Sequence, residues 1–345
     1  MNKRNTMVTG NGLLPLILHN TDEYGFERPE DFNYQVYEEF MSSYLKILAH
    51  RSKKWSKLLN PNYVFKKNAK LKRYIRKGIP AEHRGFVWFM ISGAHNLKKN
   101  MSDDFYYSLL KQDLNTEIVD AIKLDLHRTF PNNIFFKRPE FCQTQLFNIL
   151  VAYAHHNPKI GYCQGLNYVA GLLLLVTKNE ETTFWLLKTL IEQTLEDYYS
   201  PTMQGLLIDV EVLSEIIKMK EPEVHQHITN LGLPWLIICS KWFICLFVEI
   251  LPIETVLRIW DCLFYEGSKI FFRVGIALIK LNRKQLIESK DFAEAANTFK
   301  SITNSKMVTN CHFFMNSVFK VSGSLSNSTL HKLRRKIRIE KFGSK

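Results

Sequence analysis

The chain has 345 residues, of which 46% are hydrophobic and only 15 are glycine and 11 proline. That composition can bury a sizeable core and favours helices over a turn-rich β architecture. A net charge of +13 suits an acidic partner, although without a concentrated central patch a scattered solvated surface is the simpler reading. The six cysteines include no Cys-x2-Cys pair and mostly sit in apolar stretches, which argues against a disulfide frame or a zinc site and for buried free thiols in a reducing compartment.

Residues 1–22 are polar and aperiodic and are expected to be disordered; Leu13 to Leu18 is too short, and too interrupted by Pro15, for a signal peptide. Tyr24-Gly-Phe26-Glu-Arg-Pro29 reads as an extended segment with two aromatic anchors. Tyr37, Phe40, Tyr44, Leu48, Trp55 and Leu59 then recur at helical spacing, and Asn60-Pro61 stops that helix. Lys66 to Lys77 is basic with Leu71, Tyr74 and Ile75 interleaved; a surface helix is a simpler account of it than nucleic-acid binding, because no row of stacking aromatics accompanies it. Gly78-Ile79-Pro80 marks a boundary, after which Arg84 and Trp88 share one face of a new helix, with the arginine stem expected over the indole.

Glu117 to Phe130 is predicted as a helix that ends at Pro131, with Ile122, Asp125 and Arg128 recurring every three residues. Spacing alone favours Ile122 inward and the two charges paired in solvent; the alternative is that Asp125 holds the Arg128 guanidinium in one pose. Phe141 to His155 is the next helix. His155-His156 diverge by about 100° and have no third ligand at suitable spacing, so no metal is expected. Gly161-Tyr162-Cys-Gln164-Gly165 is a turn at the mouth of a helix, Leu166 to Val176, that is apolar nearly all round and therefore buried. Further helices are predicted over Glu180–Leu195, Met203–Met219, Lys241–Leu251, Ile253–Tyr265, Ile270–Leu281, Phe292–Phe299 and Cys311–Phe319. The tail from Thr329 is strongly basic, a solvated helix or a contact for an anionic surface. No apolar run reaches the roughly 20 residues of a bilayer span. The fold class is all-α and a cytoplasmic location is expected, possible peripheral membrane contact resting on the basic segments.

The sequence carries no Walker motif, no Gly-x-Ser-x-Gly, no kinase motif set and no His-Glu-x-x-His. It does carry, in order, Arg84-x-x-x-Trp88, Ile122-x-x-Asp125-x-x-Arg128 and Tyr162-x-Gln164-Gly165, followed by Trp242 to Asp261 with Phe243, Phe247, Pro252, Arg258 and Trp260. Together these resemble the TBC domain of Rab GTPase-activating proteins, over roughly residues 78–275. The resemblance implies an extended helical domain there; the residue pattern of the flanks adds a helical N-terminal extension over 23–77, packed C-terminal helices over 276–325 and a basic tail over 326–345. The resemblance also implies a mechanism in which Arg128 is an arginine finger and Gln164 a glutamine finger. Asp125 would support Arg128; Tyr162 and Gly165 would shape the turn presenting Gln164; Ile122, Arg84, Trp88, Trp260 and Asp261 would be structural. The implied partner is a GTP-bound Rab, which carries the GTP and Mg2+, so the chain would need no cofactor and no independent catalysis. The rivals are a Rab-binding scaffold without activity and a nucleic-acid or membrane adaptor built on the basic segments.

Overall fold

Short polar caps and prolines set about half of the helix starts among the described residues. Asn68, Asn115, Asn179, Asp291, Asn310 and Ser326 each accept a hydrogen bond from a first-turn backbone N–H. Pro80, Pro234 and Pro252 stand immediately before helices, where a missing N–H costs nothing. The computed structural model describes residues 20–30, 32–60, 63–113 and 115–343; the disorder expected of residues 1–22 falls, up to residue 19, outside the described residues, as does Pro61.

In chain order the helices are α1 (Tyr34–Leu58), α2 (Ala69–Lys77), α3 (Ala81–Ile91), α4 (Ala94–Lys99), α5 (Phe105–Leu110), α6 (Thr116–Leu126), α7 (Thr144–His156), α8 (Leu166–Thr177), α9 (Glu180–Thr189) and α10 (Gln204–Lys220). They continue as α11 (Pro222–Asn230), α12 (Trp235–Ile244), α13 (Ile253–Glu266), α14 (Lys269–Leu281), α15 (Arg283–Glu288), α16 (Phe292–Ile302), α17 (Lys306–Thr309), α18 (Cys311–Val321) and α19 (Asn327–Phe342). A π-helical turn precedes α7 and another follows α9. The described residues contain no strand, only the isolated bridges Thr21 to Glu27 and Phe26 to Asn133, so the expected all-α class holds. No helix among them is long and apolar enough to cross a membrane.

Two helices form the centre. Helix α8 is buried from Leu166 to Leu175 apart from Tyr168 and packs against α3, α7 and α9. Helix α13 is buried from Thr255 to Tyr265 and packs against α2, α3, α14 and α18. A buried carboxylate ties this second centre together. Asp261 is 0% exposed; its Oδ1 accepts from Arg84 Nε at 3.1 Å and Trp88 Nε1 at 2.9 Å, and its Oδ2 from the Ile79 backbone N–H at 2.9 Å. Arg84 and Trp88 are therefore joined through a shared acceptor, and the Arg84 guanidinium also lies 6.0 Å from the centroid of the Tyr24 ring. Asp261→Ala would leave the Arg84 charge and two N–H donors buried without their acceptor. It is expected to destabilise the fold by about 3–5 kcal/mol, read as a lowered denaturant midpoint.

The helix predicted over Lys241–Leu251 is the main correction. Helix α12 stops at Ile244, and Leu246, Phe247 and Glu249 have φ of +50°, +66° and +65°. Trp260 Nε1 donates to the Leu246 carbonyl at 3.0 Å and fixes this turn from α13. A continuous apolar run reads alike in a buried helix and in a buried turn, so periodicity could not separate them.

Candidate functional site

Arg128 stands in a turn, not on a helix. Helix α6 ends at Leu126, two residues short of it, and the chain turns so that Thr129 and Phe130 are buried while the Arg128 side chain stays 48% exposed. Phe130 has φ of +51°, a conformation that costs a bulky residue about 1–3 kcal/mol and persists only where its surroundings impose it. Its ring sits edge-on to Phe26, Phe136 and Tyr168, with centroids 5.0, 5.4 and 5.7 Å away. The close approach of α8 to this turn requires Gly171, because a Cβ there would meet the Phe130 ring at 3.0 Å.

The extended N-terminal segment docks on the far side of the same turn. Ile134 N donates to Gly25 O at 2.9 Å, Glu27 N to Asn132 O at 2.8 Å, and Asn133 Nδ2 to Tyr24 O at 2.9 Å. Phe26 thus buttresses the arginine turn with its ring and Tyr24 with its backbone carbonyl, while the Tyr24 hydroxyl accepts from Arg84.

Asp125 is the hub. It is 5% exposed, and its Oδ1 accepts from Arg128 Nε at 2.7 Å and lies 2.5 Å from Arg128 Nη2. Its Oδ2 accepts from the Tyr162 hydroxyl at 2.5 Å. Burial, reinforced by this hydrogen bond and by the Asp125 charge, pushes the Tyr162 phenol well above its ordinary value near 10, so it stays a donor at working pH. The triplet predicted on α6 divides accordingly: Ile122 is fully buried, Asp125 faces the turn, and Arg128 is held by Asp125 in preference to pairing freely in solvent.

Gln164 lies in the turn between Tyr162 and α8. It is exposed, and among the described residues its side-chain amide forms no hydrogen bond. Gly165 follows with φ of +106°, and a Cβ there would approach Ile244 at 3.4 Å, so both backbone angle and space call for glycine. The neighbour it packs on is the start of the turn that Trp260 fixes, which links the structural tryptophan to the floor under Gln164.

A second tie was not legible in the sequence. Asn167, 0% exposed in the first turn of α8, accepts from Gly165 N at 3.1 Å through Oδ1 and donates through Nδ2 to Thr129 Oγ1 at 2.8 Å. Thr129 Oγ1 in turn donates to the Asp125 carbonyl at 2.6 Å. Tyr168 donates its hydroxyl to the Arg128 carbonyl at 3.3 Å. The arginine and glutamine turns are therefore joined twice, through Asp125 and Tyr162 and through Thr129 and Asn167. The only signal for Asn167 was an asparagine at the start of an otherwise apolar helix.

Other candidates lie elsewhere. His155 Nδ1 is 2.7 Å from the Leu109 carbonyl and His156 Nε2 is 2.9 Å from Glu192 Oε1. Among the described residues no three His, Cys, Asp or Glu side chains are grouped to hold a metal. All six cysteines are free; Cys142 and Cys163 are half-buried and the other four are buried.

A family model described as the Rab-GTPase-TBC domain matches residues 81–287. The chain is 49% identical over 323 residues to growth hormone-regulated TBC protein 1 of Xenopus tropicalis, covering 92% of this chain and 94% of that one. It is 34% identical to the GTPase-activating protein MSB4 of Saccharomyces cerevisiae, over 79% of this chain and 64% of that one. Among solved structures it is similar to the Chlamydomonas flagellar RabGAP TBC domain, with a TM-score of 0.77 and 30% identity over 88% of this chain and 100% of that one. The chain belongs to the Rab-GTPase-TBC domain family.

Proposed function

We propose that this chain accelerates GTP hydrolysis by a GTP-bound Rab GTPase, supplying Arg128 to the transferring phosphoryl and Gln164 to the attacking water. Phosphoryl transfer needs little covalent chemistry from a protein; it needs charge stabilisation and an oriented nucleophile. An arginine supplied in trans by an activator is worth about 10⁵ in rate in the Ras system. Nucleotide and Mg2+ belong to the partner in this reading, and the chain contributes no cofactor. The observation that carries it is the Asp125 carboxylate, which grips Arg128 and Tyr162 together beneath two exposed side chains of the required types. Holding both turns on one buried group sets their separation before the partner arrives, so little ordering is left to oppose the reaction.

The test is single-turnover hydrolysis across a panel of GTP-loaded Rabs with the full chain added; acceleration of at least one is expected, and a flat panel would overturn the reading. Asp125→Asn keeps the shape of the hub and removes its charge. It is expected to lower the stimulated rate about 10-fold, the equivalent of about 1.4 kcal/mol from one charge-assisted hydrogen bond. The unfolding midpoint should barely move, and a rate equal to wild type would show that Asp125 does not position Arg128.

A further inference from the structure

The basic stretch 66–77 does not form a uniformly solvated face. Helix α2 divides it: Lys72 and Arg76 pair with Glu266 on one side, whereas Lys70, Arg73 and Lys77, at positions i, i+3 and i+7, face a pocket shared with α1. Helix α1 contributes Arg51 and Lys54 to the same pocket, and α18 closes it with His312 and Asn316. The pocket encloses about 890 Å³ and is lined by five lysine or arginine side chains and by no aspartate or glutamate. Among the described residues none of those five cations is in an ion pair, although Glu266 engages the other face of the same helix.

The positive charge deepens at the pocket's base. Arg51 is only 7% exposed, and its Nη1 has the Tyr44 hydroxyl at 3.4 Å. Behind it lies Arg258, 2% exposed, whose Nη2 donates to the Arg76 carbonyl at 3.1 Å and whose Nε and Nη1 have no hydrogen-bond partner. The two guanidiniums converge on Gly78, where a Cβ would lie 2.5 Å from Arg258 Nε and 2.8 Å from Arg51 Nη1. Glu254 and Asp261, the acids nearest Arg258, both bond Arg84. His312 sits in this field: burial first, then Arg258, Arg51 and Lys77, push its imidazole below the usual value of 6.5. Unpaired buried cations are costly, and a phosphate is the ligand that arginine forks and lysine ammoniums match best.

We propose that the pocket between α1, α2 and α18 binds a small anion carrying at least two phosphate groups. One phosphate would leave most of the five cations uncompensated. The volume is that of a small-molecule site, typically about 300–1,000 Å³. Trp55 and Tyr74 supply apolar wall for the ring or chain that carries the phosphates. The same chemistry is offered by a soluble polyphosphorylated polyol and by a phosphorylated lipid headgroup. This site is independent of Arg128 and Gln164 and does not rest on the activator reading.

The experiment is calorimetric titration of the full chain with inositol hexakisphosphate and with inorganic phosphate, paired with sedimentation on phosphatidylcholine vesicles with and without phosphatidylinositol bisphosphate. Saturable binding of the polyphosphate, much tighter than of inorganic phosphate, is expected. Arg73→Glu with Lys77→Glu, both exposed, should weaken it about 10-fold or more, each tenfold being about 1.4 kcal/mol. The same charge change on exposed Lys332 and Arg335 of α19 should leave it unchanged. Loss of vesicle binding in the pocket variant assigns a lipid headgroup; binding of the soluble probe alone assigns a soluble ligand. The proposal is overturned by absence of binding to either probe, by equal weakening from the α19 variant, or by an RNA oligonucleotide competing while the pocket variant binds normally. Circular dichroism confirms that each variant is folded.

Discussion

Replacing Arg128 by alanine is expected to reduce the stimulated rate of Rab GTP hydrolysis by about 10²–10³-fold or more, the usual consequence of removing a preorganised donor from a developing charge. The fold should survive. The Arg128 side chain is 48% exposed, which screens its pair with the buried Asp125, and Asp125 keeps the Tyr162 hydroxyl as a donor when the guanidinium is removed. The anchoring of the turn lies in Thr129, Phe130 and the Arg128 carbonyl, none of which the substitution touches. Two of the guanidinium nitrogens are engaged by Asp125, which leaves the remaining N–H donors of a planar, permanently charged group for phosphoryl oxygens. Arg128→Lys keeps the charge and loses the fork that Asp125 grips, so it should recover only part of the lost rate. Measured in single-turnover assays at saturating chain, an alanine variant that runs at full rate would remove Arg128 from the mechanism.

Much of this site was readable in the sequence because its parts are local and repeat in a fixed order. The Ile122, Asp125, Arg128 triplet spans seven residues and the Tyr162, Gln164, Gly165 turn four; their order carried the family resemblance, whereas spacing alone put Arg128 on a helix and its charge in solvent. The all-α class followed from periodicity and from sparse glycine and proline. What spacing could not supply was contact across the chain. Asn167 looked like a polar interruption in an apolar helix; it is the link between turns 38 residues apart. Asp261 looked like an acid on a late core helix; its ligands lie more than 170 residues upstream. The turn after α12 was read as helix because, Glu249 apart, its residues are apolar, and the positive φ values are what distinguish it. The pocket beside the exposed basic face of α2 was not legible, because Arg51 and Lys54 of α1 and His312 of α18 reach it from other segments of the chain.

Replacing Gln164 by alanine is expected to lower the stimulated rate about 100-fold or more, by loss of the amide that orients the water. Gln164 differs from Arg128 in its support. No side chain holds its amide among the described residues; what is fixed is the backbone beneath it, through Gly165, Asn167 and the turn against Ile244. An exposed amide on a rigid turn is free to take the rotamer that the partner's nucleotide demands, and that suits a group whose target is a water molecule rather than a phosphate. If Gln164 places the water, the partner's own glutamine is dispensable: a Rab lacking it should still be accelerated by the wild-type chain and not by the Gln164→Ala chain. The double variant Arg128→Ala, Gln164→Ala then discriminates joint from independent action. Groups acting as one unit are grossly non-additive. Because the two turns are tied through Asp125 and again through Asn167, the double variant should lose little beyond the worse single variant. A loss equal to the product of the two single losses would mean that charge and water are handled independently, and that the shared buried scaffold has no kinetic role.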